Sequence, residues 1–168
     1  MTRYLLLAAL LLVTTLVAGC QSAVAPAPIN ATYDMAGPPT MGEAVNFEDK
    51  CLLPAEVYWA FSGDMEGLVT LQLQIMHDGL CEPDTEYGDL NEKWVATGDF
   101  EGSVKGQEGT FDFFLVADVF ERNFTAQMAI EPDSGTGELA GIRGLIDFEE
   151  KPDDEAPWPV TGYVYYVE

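Results

Sequence analysis

Strict alternation of apolar and polar residues governs the chain from its middle third onward. Val57, Trp59 and Phe61 alternate with Tyr58 and Ala60, and Val69, Leu71, Leu73 and Ile75 share a face opposite Thr70, Gln72 and Gln74. A period of two is the signature of half-buried strands. Residues 94–101 resume it, with Trp94, Ala96 and Phe100 opposite Val95, Thr97 and Asp99. Residues 110–120 (TFDFFLVADVF) are apolar enough to predict a strand buried on much of both faces. Phe124, Ala126, Met128 and Ile130 alternate with Thr125 and Gln127, and further strands are predicted over 144–149 and 160–167. Stretch 41–54 is ambiguous, with Val45 and Phe47 as candidates for a first strand.

Turn chemistry separates these segments: Ser62-Gly63-Asp64, His77-Asp78-Gly79, the connection 102–109 (GSVKGQEG) and Glu121-Arg122-Asn123. With seven or eight strands and no helical period or internal repeat, the expected fold is all-β, an antiparallel barrel of about eight strands. Closure removes exposed sheet edges, which favours a barrel over a sandwich. Residues 132–148 (PDSGTGELAGIRGLIDF) stand out, because Gly135, Gly137, Gly141 and Gly144 imply positive-φ turns or close backbone approach. The polar faces Thr70/Gln72/Gln74, Thr97/Asp99 and Thr125/Gln127 are expected to face water; turned inward, they would instead line a polar lumen.

The first twenty residues belong to no core. Arg3 precedes an apolar run over 5–18 that ends in Ala18-Gly19-Cys20. The run is too short for a spanning helix and has the parts of a secretory signal. A cysteine directly after Ala-Gly resembles the lipobox of bacterial lipoproteins, which implies cleavage before Cys20 and acylation of that residue with chains such as palmitate. Such an anchor would hold the protein to the membrane of the cell envelope, the outer membrane or the outer face of the cytoplasmic one. Residues 21–42, rich in Ala and Pro, are expected to form a flexible tether, leaving 43–168 as a single domain.

Charge narrows the partners. The chain carries 29 acidic and seven basic residues, and Arg3 leaves with the leader. Such a surface repels nucleic acid and anionic head groups, so neither is expected as a partner. Cys51 and Cys81 remain once Cys20 is acylated, and in an exported protein they are expected to pair. A redox or zinc CxxC reading fails on spacing, no GxSxG elbow occurs, and the sole histidine, His77, is expected at an exposed turn. No metal or other cofactor is expected. The acidic loops with Glu82, Asp84, Glu86 and Asp89, and with Glu149, Glu150, Asp153, Asp154 and Glu155, lack the EF-hand pattern and read as solvated. Arg143 is expected to form an ion pair with Glu138, Glu66 or Asp64; its sharper role would be to receive an anionic ligand at a barrel mouth.

Three motifs stand in order: 61–67 (FSGDMEG), 100–111 (FEGSVKGQEGTF) and 134–144 (SGTGELAGIRG). Together they resemble a bacterial family of unknown function, domain-of-unknown-function family 3224. That resemblance implies a fold similar to the allene oxide cyclase barrel, related in shape to dirigent proteins and calycins, and it carries no assigned activity. The expected function is a membrane-anchored barrel that binds a small hydrophobic ligand or a protein partner. The alternatives are an isomerase or cyclase acting on a hydrophobic substrate in the barrel, and a purely structural envelope protein. A buried polar group beside a cavity, with Glu66 or Glu101 as candidates, would favour the isomerase.

Overall fold

The computed structural model describes residues 25–82, 91–150 and 155–167. Within them run β1 (Ala27–Met35), β2 (Thr40–Met41), β3 (Val45–Phe47), β4 (Lys50–Gly63), β5 (Met65–Asp78), β6 (Glu92–Val104), β7 (Gln107–Phe120), β8 (Asn123–Ile130), β9 (Ile142–Glu150) and β10 (Trp158–Tyr166). From β4 to β10 each strand pairs antiparallel with the next, and β1 shuts the ring by pairing with both β10 and β4. The fold is a closed antiparallel barrel of eight strands. Along one edge of β4, β1, β2 and β3 pair in succession with 59–63, 55–56 and 50–52, so this strand presents little open edge.

Strand β1 corrects the predicted tether. Residues 27–35 do not hang free; Ile29, Ala31 and Tyr33 are buried core residues, and the domain starts at 27 rather than 43. Only three inward positions carry the pattern, and Pro26 and Pro28 flank it with the composition of a linker. Its hydrogen-bonding partners lie at Trp59–Gly63 and at 158–164, far along the chain.

Two boundaries also differ. The connection 102–109 shrinks to Lys105-Gly106, both at positive φ (52° and 80°), as tight hairpin turns require. Strand β7 is buried on one face only: Phe111, Phe113, Leu115, Ala117 and Val119 point inward, while Phe114 and Val116 stay over 40 % exposed. The polar faces of β5, β6 and β8 point outward as expected, and the inside is apolar except at His77 and Glu92.

One end of the barrel is sealed. Gly67, Gly102 and Gly109 are register partners on β5, β6 and β7. A Cβ on Gly67 would lie 2.2 Å from the Glu101 carbonyl oxygen, and one on Gly102 would lie 2.2 Å from that of Glu66. The motif glycines thus allow two backbones to approach where side chains would collide, and a sheet stripped of Cβ atoms can bend toward the axis. The segment after β8 folds over this end. Its short 3-10 turn, Gly137–Leu139, sets the fully buried Leu139 against Gly109. Inside, Phe100 and Phe111 stack at 4.8 Å.

Candidate functional site

The other end is hollow. A cavity of about 320 Å³ lies among the inward residues of the mouth, and it reaches the surface near Pro39, Met41 and Arg122. Its position follows from side-chain size. Deep positions carry Phe100, Phe111 and Phe113, whereas Ala55 and Val57 of β4 stand at the cavity wall. The chain has three tryptophans, and all of them, Trp59, Trp94 and Trp158, line this space with Tyr33 and Phe124. Their rings brace one another: Tyr33 to Trp59 at 4.9 Å, Tyr33 to Trp158 at 5.4 Å, and Trp94 to Phe124 at 5.2 Å. Mutual packing fixes the wall, so the cavity is held open rather than collapsed.

Few polar atoms enter this wall. The Tyr33 hydroxyl is buried and meets no hydrogen-bond partner among the described residues. Arg122, at the tip of the β7–β8 turn, and Glu150, at the end of β9, stand at the rim. Beside the cavity, on the inward row that includes Val119, lie His77 and Glu92, the two buried acidic or basic side chains among the described residues. They are register partners on β5 and β6, and the Glu92 carboxylate accepts a hydrogen bond of 2.6 Å from the Trp94 indole N–H.

His77 is therefore not the exposed turn residue that the sequence suggests. Strand β5 continues to Asp78, so His77 keeps the inward parity of Leu73 and Ile75 and is only 6 % exposed. Its Nδ1 lies 2.8 Å from the Asp78 carbonyl, which can only accept, so Nδ1 carries the proton. Cys51 faces His77 across the β4–β5 ladder and forms a disulfide with Cys81, the expected bridge. The bridge ties the start of β4 to the chain leaving β5. Cys81 N–H also donates to Asn46 Oδ1 at 2.7 Å, fastening β3 to the same corner. On the outer wall of the mouth Lys50 pairs with Asp78; this hydrogen bond raises the lysine pKa and lowers that of the aspartate.

Arg143 is not at the mouth. It starts β9 near the sealed end, bonded to Asp133 at 2.6 Å and to the Ile142 carbonyl at 2.9 Å. None of the three expected partners holds it. Asp64 instead pairs with Lys105 at 2.9 Å and accepts from the Asn30 N–H, contacts that lower its pKa. The Glu138 carboxylate accepts from the Glu108 N–H at 3.1 Å. Glu66 and Glu101 are exposed, on the outer side of the glycine bend, and neither borders the mouth cavity. Cys20, Asp84, Glu86, Asp89, Asp153 and Asp154 lie outside the described residues; among those described, no group of three or more His, Cys, Asp or Glu side chains is placed to hold a metal.

Sequence reasoning missed Tyr33 and Glu92. A register-aware reading would have found Glu92, which sits two residues before Trp94 and so shares its face. Tyr33 required β1.

A family model described as "Protein of unknown function (DUF3224)" matches residues 30–158. The chain is also similar in fold to the crystal structure of a protein with unknown function from the DUF3224 family of Shewanella oneidensis MR-1. The TM-score is 0.64 at 16 % identity, over 85 % of this chain and 98 % of that one. A search of curated proteins finds no match.

Proposed function

Since the chain belongs to the DUF3224 family, which brings a fold but no activity, we propose a function from the cavity itself: an exported, lipid-anchored barrel that binds a small hydrophobic ligand at its open mouth. The observation that carries this reading is the hollow of about 320 Å³ walled by all three tryptophans at one end of a barrel whose other end buries Phe100, Phe111, Phe113 and Leu139. Small-molecule sites are mostly apolar clefts of roughly 300–1,000 Å³ with a few polar groups, and this one falls at the compact end. A barrel packed throughout would have removed the basis for the proposal.

The anchor fits the same reading. Strand β1 begins at Ala27, paired with Val164 near the sealed end, and runs toward the mouth. Six residues separate Cys20 from Ala27, a reach of at most about 25 Å at ~3.6 Å per step. Acylation of Cys20 would hold the sealed end toward the bilayer and turn the mouth away from it, toward ligands arriving through the aqueous phase.

Native mass spectrometry of the mature chain, taken from its host envelope under non-reducing conditions, tests the proposal. A small molecule released on denaturation supports it. A co-purifying protein would favour a docking role, with the exposed Val95, Phe114 and Val116 as the surface to examine. An empty mass together with no uptake of apolar probes would sink ligand binding.

A second reading, a proton-transferring isomerase, has its own observation. Glu92, at 2 % exposure beside the aromatic wall, is the buried carboxylate such chemistry uses, with His77 opposite. Turnover of the recovered ligand, lost in Glu92→Gln while binding persists, would establish it.

A further inference from the structure

We infer that the ligand enters the cavity past a movable strap, residues 36–44, and that Met35 and Met41 close over it as the adjustable side of the binding wall. This deepens the ligand-binding reading and rests on it. The sequence makes the strap. Gly37-Pro38-Pro39 follows β1. A proline has no N–H, so the ladder that β1 shares with β4 as far as Met35 and Trp59 cannot run on through it. Pairing resumes in β2, where Thr40 and Met41 meet Glu56 and Ala55. Among the described residues β2 pairs with β4 alone. A backbone hydrogen bond flanks it on either side, Ala36 N–H to the Tyr58 carbonyl and Gly42 N–H to the Pro54 carbonyl, each 2.8 Å.

Burial sets the strap apart from the rest of the wall. Ala55, Val57, Trp59, Leu73 and Phe124 line the cavity from buried positions, each at most 8 % exposed. Met35 and Met41 line it too, yet they are 39 and 45 % exposed, and no residue from 36 to 44 is buried. Segments that bury little apolar surface open at the smallest free-energy cost, and lids are drawn from them. Met41 stands opposite Ala55, the small residue of the wall, so lifting β2 off β4 opens the cavity at that level. The wall is firm where aromatic rings pack on one another and loose where the two methionines meet solvent. An unbranched thioether fits irregular outlines that rings and branched chains do not. The aromatic side therefore fixes the ligand's position, and the methionines follow its shape, which lets the site take apolar molecules of differing outline.

The test locks the strap. A Cβ on Gly42 would lie 3.1 Å from the Cβ of Pro54, close to the roughly 3.5–4.5 Å that a disulfide spans, so Gly42→Cys with Pro54→Cys can pin the strap to β4. The probe is N-phenyl-1-naphthylamine, which is neutral and fluoresces in apolar surroundings. Its uptake and release are followed by stopped flow with the unlipidated chain from Gln21 in oxidising buffer, the new bridge being confirmed by peptide mapping. The bridged protein should take up and release the probe about tenfold more slowly than the wild type, with affinity nearly unchanged. Met41→Ala weakens the strap's hold and should speed uptake as well as release, each about threefold or more. Wild-type rates in the bridged protein would overturn the inference and leave the ligand-binding reading standing, because entry then bypasses the strap. Faster release from Met41→Ala with unchanged uptake would overturn it too, since a lost wall contact alone gives that pattern. Should the bridge fail to form, the Met41→Ala rates decide the matter by themselves. If the probe binds neither the wild type nor any variant, the ligand-binding reading falls and takes this one with it.

Discussion

Truncating Leu139 to alanine should cost this barrel far more than its place in a loop suggests. Leu139 is completely buried, and its N–H donates to Thr136 O at 3.0 Å within the 3-10 turn that closes the barrel. Opposite stands Gly109, where a Cβ would come within 3.1 Å of both the Cβ and Cγ of Leu139. The leucine occupies the room that this glycine leaves. Leu→Ala changes in cores cost roughly 2–5 kcal/mol, the spread depending on how far the site collapses. Collapse is blocked here. A Cβ on Gly109 would already meet the Thr136 carbonyl at 2.1 Å, so the segment's backbone lies against β7 and cannot close further. Gly109 itself has no side chain to swing into the hole. The loss should therefore lie at about 3–4 kcal/mol within that range. With an unfolding entropy of roughly 2.1 cal/mol/K per residue over a domain of about 140 residues, the melting temperature falls by about 10–14 °C. Urea unfolding followed by tryptophan fluorescence, in oxidising buffer, measures the loss directly, and an unchanged m-value shows that the same domain is unfolding. Probe binding at the far mouth should be retained in the folded variant. A loss below about 1 kcal/mol would refute the reasoning, since such a value belongs to an exposed loop leucine rather than a seal.

Three further outcomes follow from other parts of the barrel. Replacing Cys51 and Cys81 together by alanine should destabilise by about 3.5 kcal/mol on the chain-entropy account of a thirty-residue loop, read as a lower urea midpoint that reductant no longer shifts. Ala55→Leu places bulk at the cavity wall and should weaken apolar-probe binding about tenfold or more, while stability changes by no more than ~1–3 kcal/mol in either direction; undiminished binding would relocate the ligand site. Asp64 has its pKa lowered below 3.8, first by the Lys105 hydrogen bond and then by the Asn30 N–H. A carboxylate with a depressed folded pKa contributes stability above its unfolded value and loses it as the pH falls through the folded one. Asp64→Asn should thus melt below the wild type at neutral pH and converge with it in acid; a constant gap across that range would show that the charge is irrelevant.

How much of this was legible in the chain depended on how local each feature was. Strands β4 to β10 announce themselves because each carries at least three alternating residues on the inward face, and neighbours in sequence are neighbours in the sheet, so register needs little more than hairpin turns. Strand β1 obeys the same rule with Ile29, Ala31 and Tyr33, yet it hides among prolines and alanines, and its partners come from both ends of the barrel sequence. His77 misleads for a related reason. His-Asp-Gly is turn chemistry, but the turn waits for Gly79 because β4 extends to Lys50 and gives Asp78 a partner. Parity outranks residue type wherever a ladder continues. The glycines of the three motifs are recognisable as special one at a time, whereas their purpose is collective: Gly67, Gly102 and Gly109 become one flat row only after the register is set.

The cavity is the least local feature of all. No segment encodes it; it arises where Ala55 and Val57 of β4, Trp94 of β6, Trp158 of β10 and Tyr33 of β1 reach the same level of the barrel. Small residues at one level and phenylalanines at another are individually unremarked in their strands, since both satisfy the apolar half of the alternation. Periodicity reports which side of a strand is dry and is blind to how much volume that side fills. The same blindness explains why Glu92 passes unnoticed at the end of β6: a charged residue beside a turn is ordinary until Trp94, two positions on, is seen to face inward and give its N–H to that carboxylate. A site made of volume, with His77 and Glu92 buried beside it, becomes visible only in the closed barrel, and the experiments that decide its chemistry are those that change volume or a single polar atom while leaving the alternation untouched.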